Sequence, residues 1–164
     1  MPAALSVVIA TLDEEAALAR SAAALFEGVQ AGLLRELIVS DGGSKDGTLD
    51  LAEEIGAEVV RAAPGAQLQA GAEAARGEWL LLLSAGTQPA RGWSDAVLAQ
   101  MQAGRAGVFR HVPAGRGPAA RLGALWVNLQ SRLLGRVAPG PGLLVRARDF
   151  GRGKPVLMGV SART

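Results

Sequence analysis

The sequence predicts a single α/β domain: a mostly parallel sheet with helices on both faces. Three observations predict it. Short β-branched or leucine-rich runs alternate with helical patterns through the first two thirds of the chain. Polar or glycine-rich loops follow three of those runs. The chain has 164 residues, 49% hydrophobic and 20% charged, which is enough to bury one core and too apolar for disorder.

Each element has its own justification. Ser6-Val7-Val8-Ile9-Ala10 is unbroken and β-branched, as a strand buried on both faces is. Thr11 and Glu14 stand three apart, the spacing of a capping box, ahead of a helix with an Ala/Leu face ending near Gly28. Glu36–Ser40 reads as the second strand and Asp41–Thr48 as a loop in which Ser44 can cap the next helix; that helix stops near Gly56, a natural C-cap. A third strand at Glu58–Arg61 precedes a helix around Gln67–Arg76. Trp79–Ser84 is the most apolar strand, followed by a helix at Trp93–Ala103 and a short strand at Gly107–Arg110. Beyond a Gly/Pro-rich loop, residues Leu122, Leu125, Trp126, Leu129 and Leu133 recur at helical spacing until Pro139-Gly140-Pro141-Gly142 ends the pattern. Leu143–Arg146 looks like one more strand, and the remainder has little periodicity.

In parallel sheets of this kind, ligands bind beyond the carboxyl ends of the strands. Thr11–Glu14, Asp41–Thr48 and Ser84–Thr87 should therefore share one edge, and that edge is the expected site.

Charge is divided unevenly along the chain. The formal net charge is +2, but residues 1–95 sum to −8 and residues 96–164 to +10, with Asp149 the only acid after Asp95. Fifteen of the seventeen basic residues are Arg. The absence of Cys excludes a disulfide scaffold, a thiolate metal site and a cysteine nucleophile. The longest apolar run, Trp79–Ala85, is far below the ~20 residues that cross a bilayer. The first residues carry no basic region, so the expectation is a cytoplasmic protein, with a peripheral position on the inner face of the membrane as a variant.

Asp41-Gly42-Gly43-Ser44-Lys45-Asp46-Gly47-Thr48 after a strand is the most informative stretch. Glycines there let the backbone approach a ligand or take positive φ, and an Asp at a strand end can accept from a base N–H or from ribose hydroxyls. Taken alone, the stretch is equally a glycine-rich turn with an Asp cap. It is not alone. Val7–Glu15 resembles the first strand and nucleotide loop of family 2 glycosyltransferases of the GT-A fold. Asp41–Thr48, Gly71–Glu78 and Trp79–Leu83 resemble the segments that follow, in the same order, and Asn128–Gly135 is similar to the helix ahead of the family's acceptor-side loop.

The resemblance implies a Rossmann-like, GT-A-like fold that binds a nucleoside-diphosphate sugar and passes the sugar to an acceptor. It implies nucleotide contacts from Ala10, Thr11, Leu12, Glu14, Asp41, Gly43, Ser84, Ala85 and Gly86. It divides the domain into a nucleotide-sugar-binding part at 1–110 and a basic acceptor-side part at 111–164 with a shortened C-terminus. A divalent metal, Mg or Mn, is the family's usual partner for the departing diphosphate, and inverting members add a carboxylate base.

At three positions this chain departs from the family pattern. Gly86 stands where the metal-facing Asp of a degenerate DXD motif would be; Pro139–Gly142 replaces a loop bearing an acid and a Gln; Leu157–Val160 replaces an acidic pair. No catalytic residue and no metal ligand can be assigned. Ser84 and Thr87 hydroxyls are weak ligands for a hard cation. Arg110, Arg132, Arg136 or Arg146 could take the diphosphate instead, with Asp149 or His111 as base. The alternative is a degenerate, non-catalytic nucleotide-binding or interaction protein. The basic segment 118–136, with Trp126 on its apolar face, could dock on anionic lipid or pack on the sheet. Trp93 reads as a packing residue at a helix start. A homodimer completing the site is an open expectation, and nucleic acid is not expected as a partner, because few aromatics are available to stack bases.

Overall fold

A computed structural model describes residues 4–112, 142–150 and 156–163. The predicted segment 118–136, its helix and Pro139–Pro141 lie outside the described residues. The elements run β1 (Leu5–Thr11), α1 (Glu15–Gln30), β2 (Leu34–Asp41), α2 (Thr48–Glu54), β3 (Glu58–Arg61), α3 (Gln67–Ala74), β4 (Trp79–Ser84), β5 (Gln88–Pro89), α4 (Trp93–Gln102), β6 (Gly107–Val112), β7 (Leu143–Arg146), a 3₁₀ turn at Ala147–Asp149, and β8 (Val156–Arg163). They form one sheet in the order β3-β2-β1-β4-β7-β6-β8-β5. Strands β3, β2, β1 and β4 are parallel, which requires crossovers through helices. Beyond them β7 runs antiparallel to β4 and to β6, β8 runs parallel to β6, and β5 closes the edge antiparallel to β8.

Alternation along the strands divides the core into two layers. Val7, Ile9, Val39, Leu81 and Leu83 face α1, α2 and α4, where Leu18, Leu25, Ala52, Trp93 and Val97 meet them. Val8, Ile38, Leu80 and Leu82 face α3 through Ala72 and Leu68. Gly71 makes the second contact close, because a Cβ on it would run into Val8 Cγ1. Helices thus cover both faces, as the sequence predicts.

Four local expectations are corrected. Thr11 and Glu14 form no capping box: Thr11 is the last residue of β1, opposite Asp41, and Glu14 is the N-cap of α1 without a side-chain bond. Ser44 does not cap α2, whose N-cap is Gly47; its hydroxyl is engaged elsewhere. Strands β5 and β8 have no counterpart in the sequence reading. Two residues carry no periodicity, and β8 owes its conformation to pairing with β6 and β5 rather than to its own pattern.

The amino-terminal edge of the parallel strands is tied by charge. Arg76 lies 2.8 Å from both Glu36 and Glu58, and Glu36 also accepts from the Ser6 hydroxyl and the Arg76 N–H. Arg146 stacks 5.0 Å from the centre of the Trp79 ring and bonds Glu78 at 3.2 Å. Among the described residues, no helix is long and apolar enough to cross a membrane.

Candidate functional site

The opposite, carboxyl-terminal edge gathers the loops that the sequence singled out. Register brings them together: Thr11 pairs with Asp41, Ala10 pairs with Ser40 on one side and Ser84 on the other, and the Ala85 N–H donates to the Ala10 carbonyl at 3.0 Å. Of the predicted nucleotide contacts, Leu12 is 41% exposed and Gly43 is exposed. Glu14, Ser84, Ala85 and Ala10 are half-buried, and Thr11, Asp41 and Gly86 are buried.

The loops after β1 and β2 are laced together by hydrogen bonds between residues about thirty positions apart in sequence. The Gly42 N–H donates to the Thr11 carbonyl at 2.9 Å. Asp13 takes φ +53, a left-handed conformation that Asp tolerates better than most side chains. From there its N–H donates to Ser44 Oγ at 2.8 Å, and its carboxylate accepts the Lys45 N–H at 2.6 Å. The first N–H groups of α1 find partners in the same loop: Glu14 N–H on Thr48 Oγ1 at 3.0 Å, Glu15 N–H on Asp46 at 3.1 Å. Asp46 also accepts the N–H and hydroxyl of Thr48, so one carboxylate serves the start of two helices.

Asp41 is the centre of this arrangement. Its carboxylate accepts from the N–H groups of Gly43 and Ser44, both at 2.9 Å, from Thr11 Oγ1 at 3.2 Å and from Ser44 Oγ. Burial opposes its ionisation, but the Ser44 hydroxyl and N–H, the Gly43 N–H and the Thr11 hydroxyl outweigh burial and hold the carboxyl below its ordinary range. A carboxyl depressed in the fold stabilises it above the unfolded value of about 4, and the contribution disappears as pH falls through the folded value. Asp41→Asn is therefore expected to lose less stability than the wild type between about pH 5 and pH 2, measured by urea unfolding at stepped pH. Some slope will remain. Glu27 is lowered by the Ser94 N–H, Asp46 by the Thr48 hydroxyl, and Glu36, against burial, by the Ser6 hydroxyl and Arg76. Equal slopes in wild type and variant would contradict the role given to Asp41.

The third loop is a tight turn, with the Thr87 N–H donating to the Ser84 carbonyl at 3.1 Å. Gly86 occupies its third position at φ +84, the left-handed geometry that favours glycine there. A side chain at 86 would be strained, so the residue that replaces the expected Asp matches the backbone around it.

All fifteen carboxylate residues lie in described segments, and among the described residues no group of three or more His, Asp or Glu is placed to hold a metal. Three of the carboxylates at this edge are already engaged: Asp41, Asp46 and Asp13 accept from the loops' own N–H and hydroxyl groups. The described residues do not fit the ion.

Two predicted stand-ins are displaced. Arg146 pairs with Trp79, the first residue of β4, while the site lies beyond Ser84, the last, roughly 16 Å along the strand. Asp149 follows Arg146 on that same far edge, where the Ala147 N–H donates to the Glu78 carbonyl. Neither reaches the loops. Arg110 stands at the favourable end: Val108 is level, through Leu143, with Leu82, and Arg110 is two residues further along β6. His111 follows it. Arg132 and Arg136 lie outside the described residues. Asp13 and Asp46, inside the predicted site loops but given no ligand contact there, and Gln67, outside them, belong to the site's framework. A left-handed Asp after a strand is the signal that could have found Asp13; for Gln67 there is none.

The profile of the family described as "Glycosyl transferase family 2" matches residues 6–143. No match was found among curated proteins. Solved structures share the fold. Glucosyl-3-phosphoglycerate synthase from Mycobacterium tuberculosis, in complex with Mn²⁺, UDP and glucosyl-3-phosphoglycerate, superposes with a TM-score of 0.64 at 21% identity, covering 88% of this chain and 57% of its own. Its complex with Mg²⁺ and UDP gives 0.63 at 22%, covering 88% and 56%. A structure described as a mycobacterial protein gives 0.66 at 24%, covering 88% and 53%. This chain thus spans little more than half the length of these relatives, and at such identities they speak to the fold alone. The family profile spans most of the chain: the chain belongs to glycosyl transferase family 2.

Proposed function

We propose that this domain binds a nucleoside-diphosphate sugar at the carboxyl-terminal edge of β1, β2 and β4 and takes part in transfer of the sugar to an acceptor. Residues 1–110 form the nucleotide-sugar part and 111–164 the acceptor side. The observation that carries the reading is the convergence of Ala10–Glu14, Asp41–Ser44 and Ser84–Gly86 on one edge, tied by strand register and loop-to-loop hydrogen bonds. Exposed Leu12 and the exposed Gly43 backbone supply an apolar and peptide surface for base, ribose and phosphate. The structures with UDP and Mn²⁺ or Mg²⁺ support the substrate class by likeness.

Charge neutralisation is the distinctive part of the proposal. Among the described residues no carboxylate cluster is placed to hold a divalent ion. Arg110, at the level of the site on β6, is the basic residue whose place suits a diphosphate, since a guanidinium stays charged and matches phosphate oxygens in pairs. Calorimetric titration of the purified domain with UDP and GDP is expected to give the same affinity, within about twofold, in EDTA and in Mn²⁺. Binding that appears only with the metal would overturn the metal-free reading. No binding of any nucleoside diphosphate or nucleotide sugar would overturn the proposal as a whole.

One observation favours a second reading, a nucleotide-binding partner without turnover. The only acid beyond Asp95 is Asp149, and it lies at the far edge, away from any acceptor at the site. Release of nucleoside diphosphate from a nucleotide sugar in a coupled assay would exclude this reading.

A further inference from the structure

We propose that two copies of this chain associate through the layer formed by α1, α2 and α4. In this two-fold dimer, Phe26 of each copy enters a groove on the other, and the α2 acids of each meet Arg20 of the other. The nucleotide edge takes no part, so the proposal goes beyond the function proposed above and does not depend on it. Among the described residues, Leu12, Phe26 and Val29 are the large hydrophobic side chains left exposed, and this layer carries Phe26 at 58% and Val29 at 53%. A two-fold interface uses the same patch twice, so the patch has to carry both halves of every contact.

The helical repeat gives each side of α1 its own character. Leu18, Ser21, Leu25 and Gly28 are buried against the core. Glu15, Ala22, Phe26 and Val29 recur along the side toward α2, where the Glu15 carboxylate lies against Gly47. Arg20, Ala24 and Glu27 recur along the opposite flank, where the Ala24 carbonyl and the Glu27 carboxylate hold the start of α4. Between the flanks, Ala16, Ala19 and Ala23 are exposed as the outermost ridge, small enough for a second helix to come close. On the α4 flank a groove of about 540 Å³ opens between α1 and the turn before α4, lined by Ala23, Ala24, Pro89 and Ala90 with Arg91 beside them. Phe26 borders it from the far side of the ridge, so one surface carries both a projecting ring and a hollow.

Charge divides across the same ridge. Asp50, Glu53 and Glu54 are exposed on α2, Arg20 and Arg91 are exposed on the opposite flank, and among the described residues none of the five forms an ion pair. Asp95 also lies on that flank, in the first turn of α4, where it complements the helix dipole. A two-fold axis along the helices turns the α2 side of one copy onto the α4 side of the other and keeps every residue at its own level. The two helices start level, because the Glu14 N–H reaches Thr48 Oγ1, so Arg20 and Glu53 stand at similar height. That axis sets the partner's Glu53 opposite Arg20. It also brings the partner's Phe26 to the groove beside Arg91, where a guanidinium can lie over the ring. An axis across the helices would set each side against its own kind.

Sedimentation velocity of the full chain at micromolar concentration is expected to show a dimer that high salt weakens. Phe26→Glu should raise the dissociation constant at least about tenfold, as loss of an aromatic anchor at the centre of an interface does. The thermal midpoint of the dilute, monomeric chain should not change, because the ring is exposed there. Arg20→Glu should weaken the dimer as well. Arg20→Glu combined with Glu53→Arg should restore it, since the two-fold takes both partners of the pair from each copy. A wild-type chain that stays monomeric at every concentration would overturn the proposal. So would a dimer that tolerates Phe26→Glu, or a double variant no tighter than Arg20→Glu alone.

Discussion

Replacing Trp93 with alanine is expected to lower the stability of the domain by about 4 kcal/mol, the largest effect of any single truncation proposed for this chain. The indole is fully buried where α4 meets α1. Gly28 leaves room for it: a Cβ there would lie 2.5 Å from the ring, so the two helices approach through a glycine on one side and an aromatic plate on the other. Nε1 donates to the Ala24 carbonyl at 3.0 Å, which satisfies the one polar atom of the ring. Glu27, one turn along, caps the start of α4 by accepting the N–H groups of Gly92 and Ser94 and the Ser94 hydroxyl. Truncation thus leaves a large void that the capped helix end cannot easily collapse to fill. Urea unfolding followed by circular dichroism measures the loss. Trp93→Phe should recover more than half of it, keeping volume without the hydrogen bond. Because the seat lies away from the nucleotide edge, affinity in the folded variant should be unchanged. A loss below about 1 kcal/mol would show that the helices repack, contrary to the geometry.

Asp41→Ala is expected to cost about 3 kcal/mol and to abolish nucleotide binding. Hydrogen bonds to a charged acceptor contribute about 1.5–3 kcal/mol each when broken singly. Here the N–H groups of Gly43 and Ser44 lose their acceptor, and the Thr11 hydroxyl is left facing a gap in a buried place. The glycine loop then has nothing to hold its turn. Asparagine behaves differently. Its oxygen can keep both N–H groups while its amide donates to the hydroxyls of Thr11 and Ser44, which rotate to accept. About 1 kcal/mol is expected for Asp41→Asn. Amide exchange at Gly43 and Ser44 reads the same hierarchy, fast in the alanine variant and protected in the asparagine one. Equal damage from both substitutions would mean that charge alone, not the directed bonds, organises the loop.

Much of this architecture is legible in the chain. β-branched and leucine runs mark β1, β2, β3 and β4 to within two residues at each end; β1 and β4, buried on both faces, have no other composition to choose, while the half-buried edge strand β3 shows through its Val pair. The shared edge follows from βαβ connectivity. What escaped the sequence depends on contacts between distant segments. The spacing of Thr11 to Glu14 fits a helix cap, yet its hydroxyl is claimed by Asp41 across the β1–β2 pair. Ser44 fits a cap for the same local reason, and it binds Asp13 and Asp41 instead. Arg146 carries the charge suited to a phosphate but sits on a strand that runs the other way, which its own residues cannot reveal. Gln67 matters through the empty position at Gly42, a fact about space rather than composition.

The lacing of the two loops makes the site a reporter of strand alignment. Thr11 faces Asp41 only when β1 and β2 pair in the observed register, and a slip by one residue would turn Asp41 to the opposite side of the sheet. Every bond that shapes the proposed nucleotide seat would fail together. A chain whose first two strands are misaligned therefore has no seat to offer, however well collapsed it is. A nucleotide bound at the proposed site would act on folding as well as on function, since it would bind the correctly aligned form alone and stabilise it in proportion to the logarithm of its concentration. Nucleotide added during refolding would enrich the aligned population without touching a single strand residue in the core.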